Sequence, residues 1–294
     1  MKPPPFTYCD PESVDEAVAL KSEYGSASLV LAGGQSLLPM LTMRLARPEA
    51  LIDINKIGDL QKIERRADML EVGAGVRQYE LEDHPLVGEL VPLLPAATRH
   101  IGHLEIRHRG TVGGSVAHAD PASELPCTAV ALDATVVVRG PYDTRTIEAR
   151  DFFQGRMITA LEPVEVLVAV RYPVTPRTAG HAFVEVARRD GDFALAGAAA
   201  LVDLDEDGRF SSVAVGVSGI SDTPVRAFAV EAALIGAVPS EENITRAAEE
   251  IVPWVVSGDD QQATHAYRQH LAAVVVRRAL TAAVARARER SDAK

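Results

Sequence analysis

Leu31-Ala32-Gly33-Gly34-Gln35-Ser36-Leu37-Leu38-Pro39 follows directly on the apolar run Ser28-Leu29-Val30-Leu31-Ala32. The run is short, uncharged and bounded by glycine, which suits a buried strand. Paired glycines turn the chain tightly and let backbone N–H groups approach a ligand with no Cβ in the way. Ser36 is placed to cap a helix from Leu37 to about Leu45, and Pro39 is tolerated in its first turn. Leu51-Ile52-Asp53-Ile54 then reads as a second strand. Strand, helix and strand in this order predict a small parallel βαβ unit. The loop between strand and helix would form an anion-binding concavity at a helix N-terminus, suited to a pyrophosphate.

A second loop repeats this grammar. Gly110-Thr111-Val112-Gly113-Gly114-Ser115 is followed by Ala119-Asp120-Pro121-Ala122-Ser123-Glu124-Leu125-Pro126. Ser123 precedes Pro126 by three residues, as Ser36 precedes Pro39, and an apolar helix from about Glu124 to Leu132 follows. One such loop alone is more often a plain tight turn. Two in one domain, with hydroxyl caps and no net positive charge, point to one extended dinucleotide held mainly by backbone donors. No G-x-G-x-x-G opens a helix and no G-x-x-x-x-G-K-[ST] occurs, so neither a Rossmann NAD site nor a P-loop is supported.

Around the loops the pattern is mixed. A first helix carries Val14, Ala17, Val18 and Leu20 on its apolar stripe, with Ser13 or Asp10 as its cap. Short alternating strands run from Ile63 to Val76, then helical segments at Gln78–Glu82 and Leu86–Thr98, the latter cut by Pro92 and Pro95. From Ile101 to Ala119 there is little helix signal. Strands follow at Ala134–Arg139 and towards Tyr172, and Pro173-Val174-Thr175-Pro176 reads as a domain boundary. Beyond it, Ala198–Leu204 and Val213–Val217 alternate about the turn Asp205-Glu206-Asp207-Gly208, and a long helix from about Thr264 to Arg290 ends the chain.

Composition narrows the function classes. A net charge of −11 disfavours nucleic acid and anionic lipid, which recruit clustered Lys and Arg. The N-terminus lacks the apolar run of a secretory signal and no segment is long enough to span a bilayer, so a cytoplasmic address is expected. Two cysteines, Cys9 and Cys127, exclude a disulfide framework. They also exclude a self-contained iron–sulfur cluster, which takes about four Cys ligands. His100, His103, His108 and His118 lack an acidic or Cys partner at convincing spacing and read as solvated or capping residues, so no metal is assigned. His118 is set apart by its place in the second loop. Arg107 and Arg109 read as surface ion-pair residues, Asp53 as a turn cap and Cys127 as an inert core thiol.

With these blocks in view, the sequence resembles the FAD-binding medium subunits of the molybdenum hydroxylase family, of xanthine dehydrogenase, carbon monoxide dehydrogenase and nicotine dehydrogenase type. The resemblance rests on Leu31–Pro39, Leu51–Asn55, Ile106–Ser115 with Asp120–Pro126, Arg188–Ala194, and Tyr267-Arg268…Leu271…Arg277-Arg278-Ala279-Leu280. It implies an α+β fold: an FAD-binding domain of the vanillyl-alcohol-oxidase (PCMH) type over residues 1–176, in subdomains of about 1–57 and 58–176. Residues 177–294 would form a C-terminal domain with a small antiparallel sheet and helices. It also implies that Ala32, Gly33, Gly34, Gln35, Ser36 and Leu37 hold the FAD pyrophosphate. Thr111, Gly113, Gly114 and Ser115 would add further backbone and hydroxyl contacts, and Glu124 would reach the sugar, with Ser123 and Leu125 beside it among the cofactor-binding residues. His118, by its place in the loop, reads either as a ribityl contact or as a plain loop residue. Glu124 stands where an Asp is frequent. Ile101 and Leu167 would flank the nucleotide, and Phe193, a Tyr in some relatives, would lie by the isoalloxazine ring without a phenolic hydrogen bond.

No catalytic side chain is assigned, because the cofactor carries the redox chemistry. The resemblance implies a small subunit with [2Fe–2S] clusters and a large molybdenum-cofactor subunit as partners, in a dimer of heterotrimers. The cysteine inventory agrees, since the clusters must lie on another chain. A Phe183-Val184-Glu185-Val186 stretch replaces the Lys some relatives carry, so NAD is not supported as acceptor. A free-standing flavin oxidoreductase and a non-catalytic nucleotide-binding scaffold stay open as alternatives.

Overall fold

Three strands, Thr7–Cys9, Ala50–Asp53 and Ser28–Leu31, pair in parallel with Ala50–Asp53 at the centre. Parallel pairing needs crossovers, which the helices Val14–Tyr24 and Leu37–Thr42 supply. Ala50, Leu51 and Ile52 are buried, as a strand covered on both faces requires. Ser13, not Asp10, caps the first helix by accepting from the Glu16 N–H at 3.2 Å. Asp10 instead pairs with Lys56. The computed structural model describes residues 2–292.

A five-stranded antiparallel sheet follows in the order Ile63–Arg66, Met69–Gly73, Val166–Pro173, Thr135–Arg139, Thr144–Glu148. The edge strand Thr144–Glu148 was not read from the sequence; only Ile147 of its five residues is buried, so it carries little apolar signal. Short helices Gln78–Asp83, Pro85–Leu90 and Leu93–Thr98 break where prolines fall. The segment expected to hold little helix contains two, Leu104–Arg109 and Val112–His118. Tertiary hydrogen bonds and the Thr111 cap override the poor helix propensity of Gly113 and Gly114.

The helix Glu124–Ala131 has all eight residues buried. It packs on both Ala196–Leu204 and Phe210–Ser218, and a Cβ on Gly216 would come within 2.6 Å of the Cys127 carbonyl oxygen. Those strands belong to a four-stranded antiparallel sheet in the order Gly180–Val186, Ala196–Leu204, Phe210–Ser218, Val225–Arg226. The hairpin turn lies where expected, with Gly208 at φ +71°. The long helix His265–Asp292 lies on this sheet, so close that a Cβ on Gly180 would overlap the Ala283 backbone. One hydrophobic core joins the first two sheets and their helices, and a second joins the four-stranded sheet to the C-terminal helices. Among the described residues no helix is long and apolar enough to cross a membrane.

Candidate functional site

The two glycine loops meet. A Cβ on Gly33 would stand 2.3 Å from the Arg109 carbonyl oxygen and 2.7 Å from Gly110 Cα, so only glycine fits there. A Cβ on Gly114 would lie 3.6 Å from Ala32 Cβ. The residues read from sequence as one site are therefore brought together at the loops themselves.

Their backbones differ in kind. In the first loop Gly34 takes φ +74°, a left-handed conformation that favours glycine. Among the described residues, the N–H groups of Gly33, Gly34, Gln35 and Ser36 have no acceptor, although Gly33 is buried. Buried backbone donors are paired as a rule, so the free N–H of buried Gly33, with three half-buried free amides next to it, marks a place for an external acceptor. Gln35 folds its amide back onto the Gly33 carbonyl at 3.0 Å. The expected cap is absent: Ser36 sits in the helical region and its hydroxyl makes no cap bond. The helix Leu37–Thr42 is also shorter than expected, ending before Arg44 at φ 61°. Six residues give little macrodipole, so any anion affinity here comes from the loop amides.

In the second loop the corresponding amides are engaged. Val112 N–H donates to Val76 at 2.9 Å, Gly113 to Ala74 at 2.9 Å, Gly114 to Thr111 Oγ1 at 3.0 Å and Ser115 to Thr111 at 3.1 Å. Gly113 is a packing glycine, since its Cβ would meet Ala74 Cβ at 2.4 Å. This corrects the expectation of backbone donors from both loops. Val112–His118 presents side chains instead: Ser115 and His118 are half-buried, and Thr111 is buried as the cap.

The remaining residues are placed as follows. Ser123 has extended backbone before Glu124–Ala131 but forms no cap bond, contrary to the reading by analogy with Ser36. Burial, then the neighbouring Glu185 carboxylate and Asp120, push the Glu124 carboxyl up to about 8. Ile101, Leu125 and Leu167 are core side chains, at most 8% exposed. Leu167 neighbours Val168, whose carbonyl accepts from Ala74 at 2.9 Å, which in turn accepts from Gly113. Phe193 is 60% exposed and shares a polar cavity of about 430 Å³ with Asp120, Pro121 and Ala122 beyond the second loop. Gly191, at φ +79°, packs against the His103 ring, and the His108 ring lies 4.3 Å from that of Tyr79.

The other sequence readings resolve simply. Arg107 pairs with Glu82 at 2.5 Å, and Asp53 accepts from the Asn55 N–H at 2.9 Å as a turn cap. Cys127 is fully buried, and burial pushes its thiol up to about 12, which keeps it unreactive. No group of three His, Cys, Asp or Glu suited to a metal occurs among the described residues. Two residues were missed. Asn55 donates to the Ala32 carbonyl at 2.9 Å, and Arg77 donates to Asn55 Oδ1 at 2.7 Å. Asn55 ends a quoted block but had no chemical signal, and Arg77 had none at all.

Residues 4–175 match the family model of the FAD binding domain in molybdopterin dehydrogenase, and residues 181–283 that of the CO dehydrogenase flavoprotein C-terminal domain. The chain belongs to this family. It is thus an oxidoreductase component that carries an FAD-binding domain. It is 36% identical to the 6-hydroxypseudooxynicotine dehydrogenase complex subunit alpha of Paenarthrobacter nicotinovorans, over 98% of this chain and 97% of that one. It is also 36% identical to the carbon monoxide dehydrogenase medium chain of Hydrogenophaga pseudoflava, over 97% and 99%. Among solved structures, a carbon monoxide dehydrogenase from Hydrogenophaga pseudoflava superposes with TM-score 0.95 at 38% identity, covering 97% of this chain and 99% of that one. Quinoline 2-oxidoreductase from Pseudomonas putida 86 superposes with TM-score 0.93 at 34% identity, covering 98% and 99%.

Proposed function

We propose that the chain is the electron-transfer subunit of a heteromeric molybdenum hydroxylase. In this reading it accepts electrons from a [2Fe–2S] subunit and passes them to an external acceptor, while a large molybdenum-cofactor subunit oxidises the substrate. The assembly is a dimer of such heterotrimers in the cytoplasm. The observation that carries the reading is the run of four free amides at Gly33–Ser36, braced against the second loop, in a chain whose family binds FAD.

Bound there, FAD supplies the two-electron redox chemistry, and the chain's residues hold and orient it. Gly33, Gly34, Gln35 and Ser36 donate to the pyrophosphate, with Ala32 and Leu37 at the ends of the loop. Thr111, Ser115 and His118 offer side-chain donors from the second loop, while Gly113 and Gly114 permit its close packing. Ser123 and Glu124 face the sugar. Ile101 and Leu167 give the apolar wall with Leu125 buried behind it, and Phe193 covers the isoalloxazine ring. No side-chain acid or base is needed in this role.

We further propose a domain division at 176/177, with subdomains 1–57 and 58–176 of the vanillyl-alcohol-oxidase type. Family matches that end at 175 and resume at 181 support the division, as does a second hydrophobic core made wholly of later residues, although Phe183 and Ala199 join the first core. The test is purification of the full chain with and without candidate partners. Oxidised-flavin absorbance in the isolated chain, and co-purification of iron–sulfur and molybdenum subunits, are expected. A colourless chain that takes up no FAD would refute the flavin role; turnover of a substrate by the isolated flavoprotein, with no partner ever recovered, would refute the subunit role.

A further inference from the structure

Arg77 lies in neither glycine loop, yet it is tied to both. Its backbone stands opposite Thr111: Gln78 N–H donates to Gly110 at 2.9 Å and Val112 N–H to Val76 at 2.9 Å. Its guanidinium then reaches two acceptors. One nitrogen donates to Asn55 Oδ1 at 2.7 Å, and the other makes a short contact to the Arg109 carbonyl oxygen. Asn55 in turn donates to the Ala32 carbonyl at 2.9 Å and is itself fixed by Asp53. The Arg109 carbonyl is the atom against which Gly33 packs. The guanidinium thus joins the carbonyl behind Gly33 to the amide that holds Ala32.

Resting on the FAD reading above, we propose that Arg77, acting with Asn55, is a positioning residue. It fixes the separation of the two loops so that one extended dinucleotide engages both at once. The physical case is pre-organisation. A ligand spanning two loops gains from the second only if its distance from the first is already set. A planar guanidinium has two donor edges in fixed geometry and can hold two acceptors of different segments, whereas an ammonium is a single point of attachment. No carboxylate among the described residues stands within ion-pair distance of this guanidinium, so its role is not that of an ordinary ion pair.

The test compares two ligands on the full-length chain freed of flavin: FAD, which spans both loops, and ADP, a probe for the adenosine diphosphate half without the flavin. Arg77→Met is expected to weaken FAD binding by about ten- to a hundredfold, because binding must then also fix the spacing of the two loops. ADP affinity is expected to stay close to wild type, while the melting temperature of the flavin-free chain falls modestly, since both lost bonds are internal to the protein. Arg77→Lys should fail to restore FAD affinity, and Asn55→Leu should mimic Arg77→Met with little added effect in the double variant. Unchanged FAD affinity in Arg77→Met would overturn the proposal. So would an equal loss for FAD and ADP, which would mark Arg77 as a phosphate charge and not a clamp. If Arg77→Met does not fold, Arg77→Lys carries the same comparison, and full FAD affinity there overturns the proposal. A wild-type chain that binds no FAD would instead overturn the flavin reading on which this rests.

Discussion

Gly33 and Arg109 touch through the backbone, with room for no side-chain atom on Gly33: its Cβ would lie 2.3 Å from the Arg109 carbonyl oxygen. The glycine therefore serves the junction of two loops as well as any ligand. Gly33→Ala is expected to part the loops and abolish flavin retention. Gly34→Ala meets strain of a different kind, from φ +74°, worth roughly 1–2 kcal/mol. It should lower stability by about that amount while leaving partial flavin occupancy. Flavin-to-protein absorbance ratios and denaturant melts of both variants check the contrast; equal occupancy in the two would contradict it.

The second loop should respond in stability. Thr111→Val removes the cap that accepts from Gly114 at 3.0 Å, a loss of about 1 kcal/mol. Gly113→Ala drives a methyl into Ala74 and should cost about 1–3 kcal/mol by overpacking. Both losses are expected in urea titrations of the flavin-free chain, where no cofactor can mask them. Stability unchanged in both variants would mean that these amides are not held as described.

Glu124 carries the pH prediction. Its carboxyl titrates near 8 in the folded chain, against 4.5 for an ordinary glutamate, because burial and Glu185 disfavour its charge. The folded state therefore binds the extra proton, and stability falls as pH rises from the unfolded value towards 8. Below about 4.5 the penalty is absent, because both states are protonated. Glu124→Gln should remove this slope and gain stability at pH 8, on the order of a few kcal/mol. Melts at about pH 4, 6 and 8.5, which bracket that window, decide the matter. A wild-type slope surviving in Glu124→Gln would assign it to another group.

Much of the fold was legible because its signals are local. The run Ser28–Leu31, the Gly-Gly turn and the strand Ala50–Asp53 follow one another in sequence and pair in space. The Asp205–Gly208 turn was equally plain, since Gly208 must take positive φ. What was hidden depends on distant partners. Val112–His118 is helical because Ala74 and Val76 receive its first amides, and no propensity scale contains that fact. The two glycine pairs look alike as text, yet one leaves its amides free and the other does not. Asn55 and Arg77 went unread for the same reason: the partners that tie them to the loops lie 22, 23 and 32 residues away.

The central claim is that the free amides of Gly33–Ser36 receive the cofactor while those of Val112–Ser115 serve the fold. Amide hydrogen exchange of the full chain, resolved to these segments and recorded with and without FAD, tests it directly. Strong FAD-dependent protection is expected at Gly33–Ser36, together with protection at Val112–Ser115 that is already high and changes little. Unchanged exchange at Gly33–Ser36, or new protection confined to Val112–Ser115, would contradict the account.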